Sequence, residues 1–387
     1  MSQRFDFVVV GAGIAGASLA WELAAHASVL LVERESQPGL HSTGRSAAMF
    51  MASYGPPQVR ALTRASRDLY AAPPSGFAAA PILAPRGALY VAWQGQEALL
   101  EASWCELQAT GVAVHRIGAA ATLARVPVLR APGLLGAVDE PDAMDIDVHA
   151  LHQGFLRGAR QRGVQLWTTA ELTIASRDGN GWHAAFADGR EAHAGVLVNA
   201  AGAWADTLAA RAGVAPLGLQ PKRRSAFSFD APAGTDNRAW PAAVGIDEGW
   251  YFKPDAGQLL GSPANADPVS AHDVQAEELD IATGIDRIER RTTLTIRRPR
   301  RVWAGLRTFA PDGDLVIGFD PQAAGFFWLA GQGGYGIQSA AGAAAAAAAL
   351  LLREPLPAAL AAQGVSMAAL APGRLRHQAR QPGTRAP

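Results

Sequence analysis

Three glycines near the start of the chain constrain its fold more than any other feature. Gly11, Gly13 and Gly16 follow the apolar run Asp6–Val10 with GxGxxG spacing. In that spacing the first glycine permits a tight turn, the second lets a pyrophosphate approach the backbone, and the third lets a helix pack closely on a strand. A helical stretch and a second apolar run, Ser28–Val32, complete a β-α-β unit. The sequence therefore predicts a Rossmann-like nucleotide-binding domain with a parallel sheet.

An acidic residue at the end of the second apolar run indicates which nucleotide this domain holds. Glu33 lies 20 residues beyond Gly13, where a carboxylate accepts hydrogen bonds from the ribose hydroxyls. The N-terminus of the intervening helix presents free N–H groups to the phosphates. These features favour a dinucleotide with an unphosphorylated ribose over the alternative, a glycine-rich turn that binds no ligand.

Three further segments favour FAD over NAD. The hydroxyl-rich segment Ser42–Ala48 reads as the opening of a second helix, which supplies more donors and a cation near the diphosphate. Taken alone, the segment favours an ordinary helix cap. The segments Ala200–Trp204 and Gly331–Gly336 weaken that alternative, because the second precedes a long Ala-rich helix. The positive end of such a helix stabilises an anionic reduced flavin.

The order of the predicted elements indicates an α/β fold with an α+β insert. Later parallel strands are predicted at Val196–Asn199 and Phe326–Ala330, and an antiparallel hairpin at Trp250–Phe252 and Gln258–Leu260. We therefore expect a discontinuous FAD-binding domain interleaved with a substrate-binding domain whose sheet is antiparallel. The expected boundaries are 1–78, 147–218 and 304–375 for the FAD-binding domain, 79–146 and 219–303 for the substrate-binding domain, and 376–387 for a flexible tail.

Composition excludes several other classes of protein. The 34 basic and 34 acidic residues balance, which argues against nucleic acid as a partner. Cys105 is the only cysteine, so neither an intramolecular disulfide nor a Cys-rich metal site is possible, and no metal is expected. The apolar segment Ser339–Leu352 is shorter than the roughly 20 residues of a membrane span and predicts a buried helix. The expected location is the cytoplasm, with peripheral attachment to the inner membrane and the oligomeric state left open.

Longer stretches resemble the D-amino-acid oxidase (DAO) family of FAD-dependent oxidoreductases and, within it, the bacterial D-arginine dehydrogenases. They extend over nearly the whole chain and include GAGIAGAS, QPGLHSTGRSAA, DIDVHALHQGFLRG, VLVNAAGAW, PLGLQPKRRSAF, FKPDAGQLLGSPANADP and QGGYGIQ. The resemblance implies noncovalent FAD and oxidation of a D-amino acid to its imino acid, which water then hydrolyses. It also implies electron transfer to a quinone or a dye-like acceptor.

The resemblance implies roles for individual residues. Arg307 matches the arginine that pairs with the substrate carboxylate through two hydrogen bonds, and Arg224 matches its second partner. Tyr54 and Tyr251 match tyrosines whose hydroxyls hold the substrate, and the carbonyl of Gly334 is the expected acceptor for the α-amine. The implied cofactor contacts are Gly11, Gly13, Ile14, Ala15, Gly16, Glu33, Arg34, Ser42, Thr43, Gly44, Arg45, Ser46, Ala48, Leu172, Gly202, Trp204, Gly333, Gly336 and Ile337.

Other arginines are expected to lie at the surface. Arg223 must face the opposite side of its strand from Arg224, because side chains alternate along a strand. We therefore expect Arg223 to be solvated. The same interpretation applies to the dense run of Arg297, Arg298, Arg300 and Arg301.

Two departures from the D-arginine enzymes bear on the substrate side chain. Met49 stands where those enzymes have an active-site histidine, and Ala88 stands where they have a glutamate that binds the guanidinium group. A desolvated charge left without its partner costs about 2–5 kcal/mol. We therefore expect an apolar side-chain preference, unless Glu101 or Asp139 replaces the lost carboxylate from another loop.

Several alternatives stay open at this point. The substrate could be an N-methyl amino acid, an L-proline-type amine or a 2-hydroxy acid, since such enzymes share the FAD fold and the carboxylate-binding arginine. The chain could also be a catalytically silent FAD-binding partner subunit. An NAD-dependent dehydrogenase is disfavoured by the Ser42–Ala48 segment. None of the nine histidines matches a catalytic position of the family, which predicts a reaction without a histidine base.

Overall fold

The computed structural model describes residues 3–378 and contains the parallel sheet that the glycine motif predicts. Its parallel strands lie side by side in the order Gln165–Trp167, Val29–Val32, Gln3–Val10, Glu191–Asn199 and Phe326–Ala330. Antiparallel strands extend this sheet to eight, namely Leu172–Asp178, Gly181–Phe186 and Val316–Phe319. The predicted α/β class is confirmed, and the first strand is central because its apolar side chains are buried on both faces.

A second sheet, mainly antiparallel, has ten strands among the described residues. They are Ala88–Trp93, His115–Gly118, Leu134–Glu140, Gln220–Phe229, Ala242–Gly245, Tyr251–Asp255, Gln258–Ser262, Asp267–Pro268, Arg301–Phe309 and Gln332–Gly333. A small third sheet contains Met49–Phe50, Leu83–Pro85 and Met144–Ile146. The predicted hairpin is confirmed, since Tyr251–Asp255 pairs antiparallel with Gln258–Ser262.

The α-helices of residues 3–378 surround these sheets. They are Ile14–Leu23, Pro57–Ala71, Glu97–Ala109, Ala119–Arg125, Val148–Gln161, Ala205–Arg211, Glu278–Arg291, Ala340–Leu352, Ala358–Ala362, Met367–Leu370 and Gly373–Gln378, with a 3-10 turn at Gly202–Trp204.

The predicted buried helix near the end of the chain is confirmed as Ala340–Leu352. Nearly all of its residues are buried, as expected of a helix that is apolar on every side. It packs against the helices Ile14–Leu23 and Pro57–Ala71. The approach is close because the helix presents small residues, and at Gly342 a side-chain carbon would lie 2.5 Å from the carbonyl oxygen of Leu62.

The helix predicted to begin within Ser42–Ala48 is absent from the structure of this segment, which forms turns and leads into the strand Met49–Phe50. The physical reason is that its hydroxyls bond to other segments instead of capping a helix. Ser42 donates to the carbonyl of Leu306 at 2.7 Å, and Thr43 accepts from the N–H of Ile14 at 3.0 Å. The segment therefore connects the nucleotide-binding sheet to the second sheet.

Two of the expected boundaries fall inside elements of the structure. The strand Arg301–Phe309 crosses the boundary placed at residue 304 and pairs along its length with Gln220–Phe229, so the second sheet extends further along the chain than expected. The expected tail at 376–387 begins inside the helix Gly373–Gln378. Arg376 is held there by the carboxylate of Asp320 at 2.7 Å, whereas the rest of the expected tail beyond residue 378 lies outside the described residues.

Within residues 3–378, none of the helices combines the length and the apolar character that a membrane crossing requires.

We predict that Gly342→Ala destabilises the protein, although alanine is normally the better helix former. The added methyl group overlaps the backbone of Leu62, and overpacking of this kind costs about 1–3 kcal/mol. The measurement is the urea midpoint of unfolding with FAD in excess. Gly179→Ala is the control, because a side chain there meets no atom within 4 Å. A higher midpoint for Gly342→Ala would show that the helices do not approach as closely as described.

Candidate active site

A long cleft runs from the glycine motif to the second sheet. Most of the predicted cofactor residues line it, namely Gly11, Gly13, Ile14, Ala15, Glu33, Arg34, Ser42, Thr43, Arg45, Ser46, Leu172, Gly202, Trp204, Gly333, Gly336 and Ile337. The predicted substrate residues Arg224, Tyr251, Arg307 and Gly334 line the same cleft. The structure therefore brings both predicted groups together in one continuous space.

Two of the three glycines, Gly11 and Gly16, occupy positions where a side chain does not fit, and the third has little space for one. Gly11 has a positive φ of 105°, and a side-chain carbon there would lie 2.4 Å from the carbonyl oxygen of Ala200. At Gly16 it would lie 1.9 Å from the carbonyl oxygen of Gly11. Gly13 lies in the cleft wall beside Thr43. The backbone at the helix N-terminus is therefore accessible without side chains at these positions, as a dinucleotide-binding turn requires.

Glu33 lies at the end of its strand and is 8% exposed. Burial raises the pKa of its carboxyl, while N–H groups of Glu35 and Ala12 lower it. The two carboxylate oxygens accept these bonds separately, Oε2 from Ala12 at 3.1 Å and Oε1 from Glu35 at 3.0 Å. The side chain is thus fixed in the cleft wall, with lone pairs left for ribose hydroxyls.

Two predicted cations of the cleft, Arg45 and Arg34, have partners that the prediction did not include. Arg45, expected beside the diphosphate, forms an ion pair with Asp273 and donates to the carbonyl of Val274 at 2.7 Å. It joins the Ser42–Ala48 segment to the segment before the helix Glu278–Arg291. Arg34 lies over the ring of Trp204, with its guanidinium carbon 4.1 Å from the ring centroid.

Three predicted cofactor contacts, Gly16, Gly44 and Ala48, do not line the cleft. Gly16 packs on the backbone of Gly11, and Gly44 packs on the carbonyl of Gly39. Because the segment turns instead of forming a helix, Ala47 lines the cleft and Ala48 packs into the core. Lining residues that the prediction missed include His41, Glu171, Thr207, Arg211, Thr308 and Gln332.

Strand pairing places Arg224 and Arg307 on one face of the second sheet. Arg307 lies opposite Lys222 and Gly305 lies opposite Arg224, and paired residues of antiparallel strands share a face. Arg224 donates from Nε to the carbonyl oxygen of Asn265 at 2.5 Å. Arg307 lies beside Gly334, where a side-chain carbon would be 3.0 Å from its guanidinium carbon.

Neither arginine has a carboxylate within 4.0 Å among residues 3–378. Burial lowers the pKa of Arg224, and repulsion from Arg307 lowers it further. Burial also opposes the charge on Arg307, yet interactions with Tyr54 and Tyr251 raise its pKa. Both guanidinium groups are therefore cationic at neutral pH, and their surroundings supply phenols instead of a counter-charge. Such a site attracts an anion.

Tyr54, a predicted substrate residue, and Tyr335 interact with Arg307 but do not line the cleft themselves. Their rings meet edge to face at a centroid separation of 5.0 Å. Burial raises the pKa of Tyr335 to about 12, with Tyr54 and Glu248 adding to the shift. Tyr335 therefore remains a neutral phenol at physiological pH. It is part of the glycine-rich Gly331–Gly336 segment, so its position in the sequence could have indicated its place in the site.

The expectation for Arg223 was wrong in one respect. It faces away from Arg224 as predicted, but it is only 8% exposed, and it pairs with Asp280 at 2.9 Å and with Glu277. The acidic partners come from the helix Glu278–Arg291 and its N-terminus, which the sequence could not place. The run Arg297, Arg298, Arg300 and Arg301 is exposed, as predicted.

Met49 and Ala88 lie near Tyr54 in one apolar cluster that also contains Tyr90 and Met51. Neither lines the cleft, and Ala88 is fully buried in its strand. The two acidic residues considered as replacements for a lost carboxylate are already paired. Glu101 binds Arg116 at 2.6 Å, and Asp139 forms an ion pair with Arg125.

Comparison with known proteins identifies the family. The family model "FAD dependent oxidoreductase" (DAO) matches residues 6–350. The chain belongs to this family. Because the family binds FAD, the cleft residues described above are the groups available to hold it.

Individual relatives share the fold. The glycine oxidase of Geobacillus kaustophilus (strain HTA426) is 26% identical over 348 residues, which cover 86% of this chain and 88% of the relative. The crystal structure of glycine oxidase from Geobacillus kaustophilus superposes with a TM-score of 0.81 at 23% identity, over 92% of this chain and 96% of the other. The crystal structure of L-proline dehydrogenase from P. horikoshii superposes with a TM-score of 0.82 at 20% identity, over 98% of this chain and 99% of the other. None of these is a D-arginine dehydrogenase, so that finer resemblance stays a prediction.

We predict that Glu33→Gln raises the dissociation constant for FAD by about 10- to 100-fold, since hydrogen bonds to a charged group contribute about 1.5–3 kcal/mol. The measurement is the quenching of flavin fluorescence when FAD binds to the apoprotein. Glu101→Gln, on the exposed helix Glu97–Ala109, is the control and should leave the affinity unchanged. An unaltered dissociation constant for Glu33→Gln would remove Glu33 from the ribose site.

Proposed function

We propose that the protein oxidises a D-amino acid at bound FAD, giving the imino acid and, after hydrolysis, a 2-oxo acid and ammonia. The observation that carries the proposal is the pair of arginines, Arg224 and Arg307. They share one face of the sheet at the end of the cofactor cleft and have no carboxylate partner among residues 3–378. A guanidinium pair of this kind matches the carboxylate that every amino acid substrate carries.

The residues of the site position the substrate more than they exchange protons with it. Arg307 and Arg224 hold the carboxylate, and the carbonyl of Gly334, next to Arg307, accepts a hydrogen bond from the α-amine. Two fixed ends orient the α-carbon, and orientation of this kind supplies about 7–11 kcal/mol of a barrier. When bound, FAD supplies the acceptor for the hydride that leaves the α-carbon. The amine loses its own proton to solvent, which sets the pH dependence.

An apolar substrate side chain is favoured because Glu101 and Asp139, the candidate carboxylates for a basic side chain, are paired with arginines elsewhere. Met49, Met51 and Ala88 lie in the apolar cluster around Tyr54, outside the lining of the cleft. The similarity to glycine oxidase supports a second candidate, oxidation of glycine or of an N-methyl amino acid such as sarcosine. For the oxidant we propose a quinone or similar acceptor in preference to oxygen.

The deciding experiment is anaerobic bleaching of the visible flavin absorbance with a panel of amines. The panel contains D-Met, D-Leu, D-Phe, D-Arg and D-Lys, their L-forms, glycine, sarcosine and L-proline. Fastest bleaching by apolar D-forms supports the proposal. Fastest bleaching by glycine or sarcosine favours the second candidate, and fastest bleaching by D-Arg contradicts the apolar preference. If no amine bleaches the flavin, the proposed reaction is wrong. Reoxidation by oxygen compared with a quinone then tests the acceptor.

Arg307→Met should lower kcat/KM for the best substrate by on the order of 100-fold or more, because truncating one partner of a desolvated charge pair costs about 2–5 kcal/mol. Bound flavin should remain at one per chain. Steady-state kinetics with a dye acceptor measures the loss. Arg298→Met, in the exposed run, is the matched control. Equal activity in the two variants would show that Arg307 does not bind the substrate.

His41 lines the cleft, and we predict that it is not a catalytic base. Its Nε2 lies 2.9 Å from the carboxylate of Glu35 and its Nδ1 lies 3.8 Å from that of Asp273, so both ring nitrogens face carboxylates. His41→Asn should therefore retain the rate of flavin reduction and its pH profile. Removal of a general base typically costs about 100-fold or more. A loss of that size in a variant that still holds FAD would contradict the prediction.

A further inference from the structure

The loop that carries Tyr54 connects the strand Met49–Phe50 to the helix Pro57–Ala71. One side of the loop is held by Gln338, whose amide nitrogen donates to the carbonyl of Tyr54 at 3.3 Å. The amide oxygen of Gln338 accepts from the N–H of Met51 at 3.4 Å. Gln338 directly follows the cleft-lining Gly336 and Ile337, so this side of the loop is fixed relative to the cofactor cleft.

The other side of the loop is held by the second sheet. The hydroxyl of Ser53 donates to Oε2 of Glu140 at 2.6 Å. Glu140 ends the strand Leu134–Glu140, lies opposite Ala88 in the strand pairing, and is only 1% exposed. Ser53 is buried as well. A short hydrogen bond between two buried groups therefore joins a rigid strand to the residue that precedes Tyr54.

The surroundings of Glu140 make this bond costly to break. Burial raises the pKa of its carboxyl, Ser53 lowers it, and the neighbouring Asp142 and Asp139 raise it again. The phenol of Tyr90 lies close to Glu140, Tyr54 and the Ser53 hydroxyl. Without Ser53, the buried carboxylate would lose its hydroxyl donor, which is strongly unfavourable.

We propose that Glu140 is a positioning residue for substrate binding, acting through the Ser53 hydroxyl to hold the phenol of Tyr54 beside Arg307. This inference rests on the proposed function, because it assigns Tyr54 to the site that binds the amino acid. The Tyr54 ring already contacts Tyr335, and its phenol raises the pKa of Arg307. Gln338 holds the backbone of the loop, whereas the bond between Ser53 and Glu140 holds the loop against the second sheet.

A double-mutant cycle between Ser53 and Tyr54 tests the proposal in the FAD-bound protein. Ser53→Ala should raise KM for the best amino acid by about tenfold and change kcat little, since one hydrogen bond to the substrate is weakened. In the Tyr54→Phe background the same change should alter KM by less than about twofold, because the effect passes through the phenol. Binding of the 2-oxo acid product, followed by the flavin spectrum, should show the same non-additivity.

Further variants separate positioning from stability. Glu140→Gln should keep KM near that of the unchanged protein, because the amide oxygen still accepts from Ser53, whereas Glu140→Ala should reproduce Ser53→Ala. Thr292→Val removes another buried hydroxyl bond, 2.8 Å from the carbonyl of Ile288, and should lower the melting temperature without raising KM. If Ser53→Ala does not yield a flavoprotein, Ser53→Cys, a weak donor, takes its place.

Three results would overturn the proposal. The first is an equal effect of Ser53→Ala on KM in the presence and in the absence of the Tyr54 hydroxyl. The second is a lower melting temperature for Ser53→Ala with an unchanged KM. The third is a rise in KM for Glu140→Gln that is as large as the rise for Glu140→Ala. Failure of the proposed function has a different signature, since the unchanged protein would then not be bleached by any amine. The two outcomes are therefore distinguishable within one set of measurements.

Discussion

The antiparallel pairing of Gln220–Phe229 with Arg301–Phe309 determines the chemistry of the site. Its register places Arg224 and Arg307 on the face that meets the cofactor cleft and Arg223 on the other. A shift by one residue would exchange these faces and bring Arg223 to the cleft. The network of Asp280 and Glu277 around Arg223 opposes such a shift, because it would leave buried charges unpaired. The ion pairs of Arg223 on one face of the sheet thus help to keep Arg224 and Arg307 on the face that meets the cleft.

Much of the nucleotide-binding half could be predicted from the sequence. The GxGxxG turn, the strand ends and Glu33 are local features, since each depends on residues close along the chain. The buried Ala-rich helix is equally local, because its apolar character on every side leaves no exposed face. The family resemblance alone was enough to predict several residues that line the cleft, among them Arg307 and Gly334.

The features that the sequence did not indicate are contacts between polar side chains and residues distant along the chain. Ser42–Ala48 looks like the beginning of a helix, but its hydroxyls bond to Ile14 and Leu306. Arg45 is predicted to lie beside the diphosphate, and its ion pair with Asp273 is a contact that the sequence did not indicate. Arg223 looks solvated, but it pairs with Asp280 and Glu277, which lie 57 and 54 residues later in the chain. In each case a polar side chain finds a partner that only the folded chain brings near, and no local pattern encodes that partner.

The two halves of the site therefore differ in how they can change. Under the proposed function, the face that binds the carboxylate consists of strand residues, and moving them would disturb a whole sheet. Met49, Tyr54 and Ala88, which the proposal places near the substrate side chain, lie outside the lining of the cleft and meet in one apolar cluster. Substitutions there alter shape and polarity without changing the strand register. Under that proposal, the reaction depends on the register of the sheet, and the preference for one substrate depends on the segments beside it.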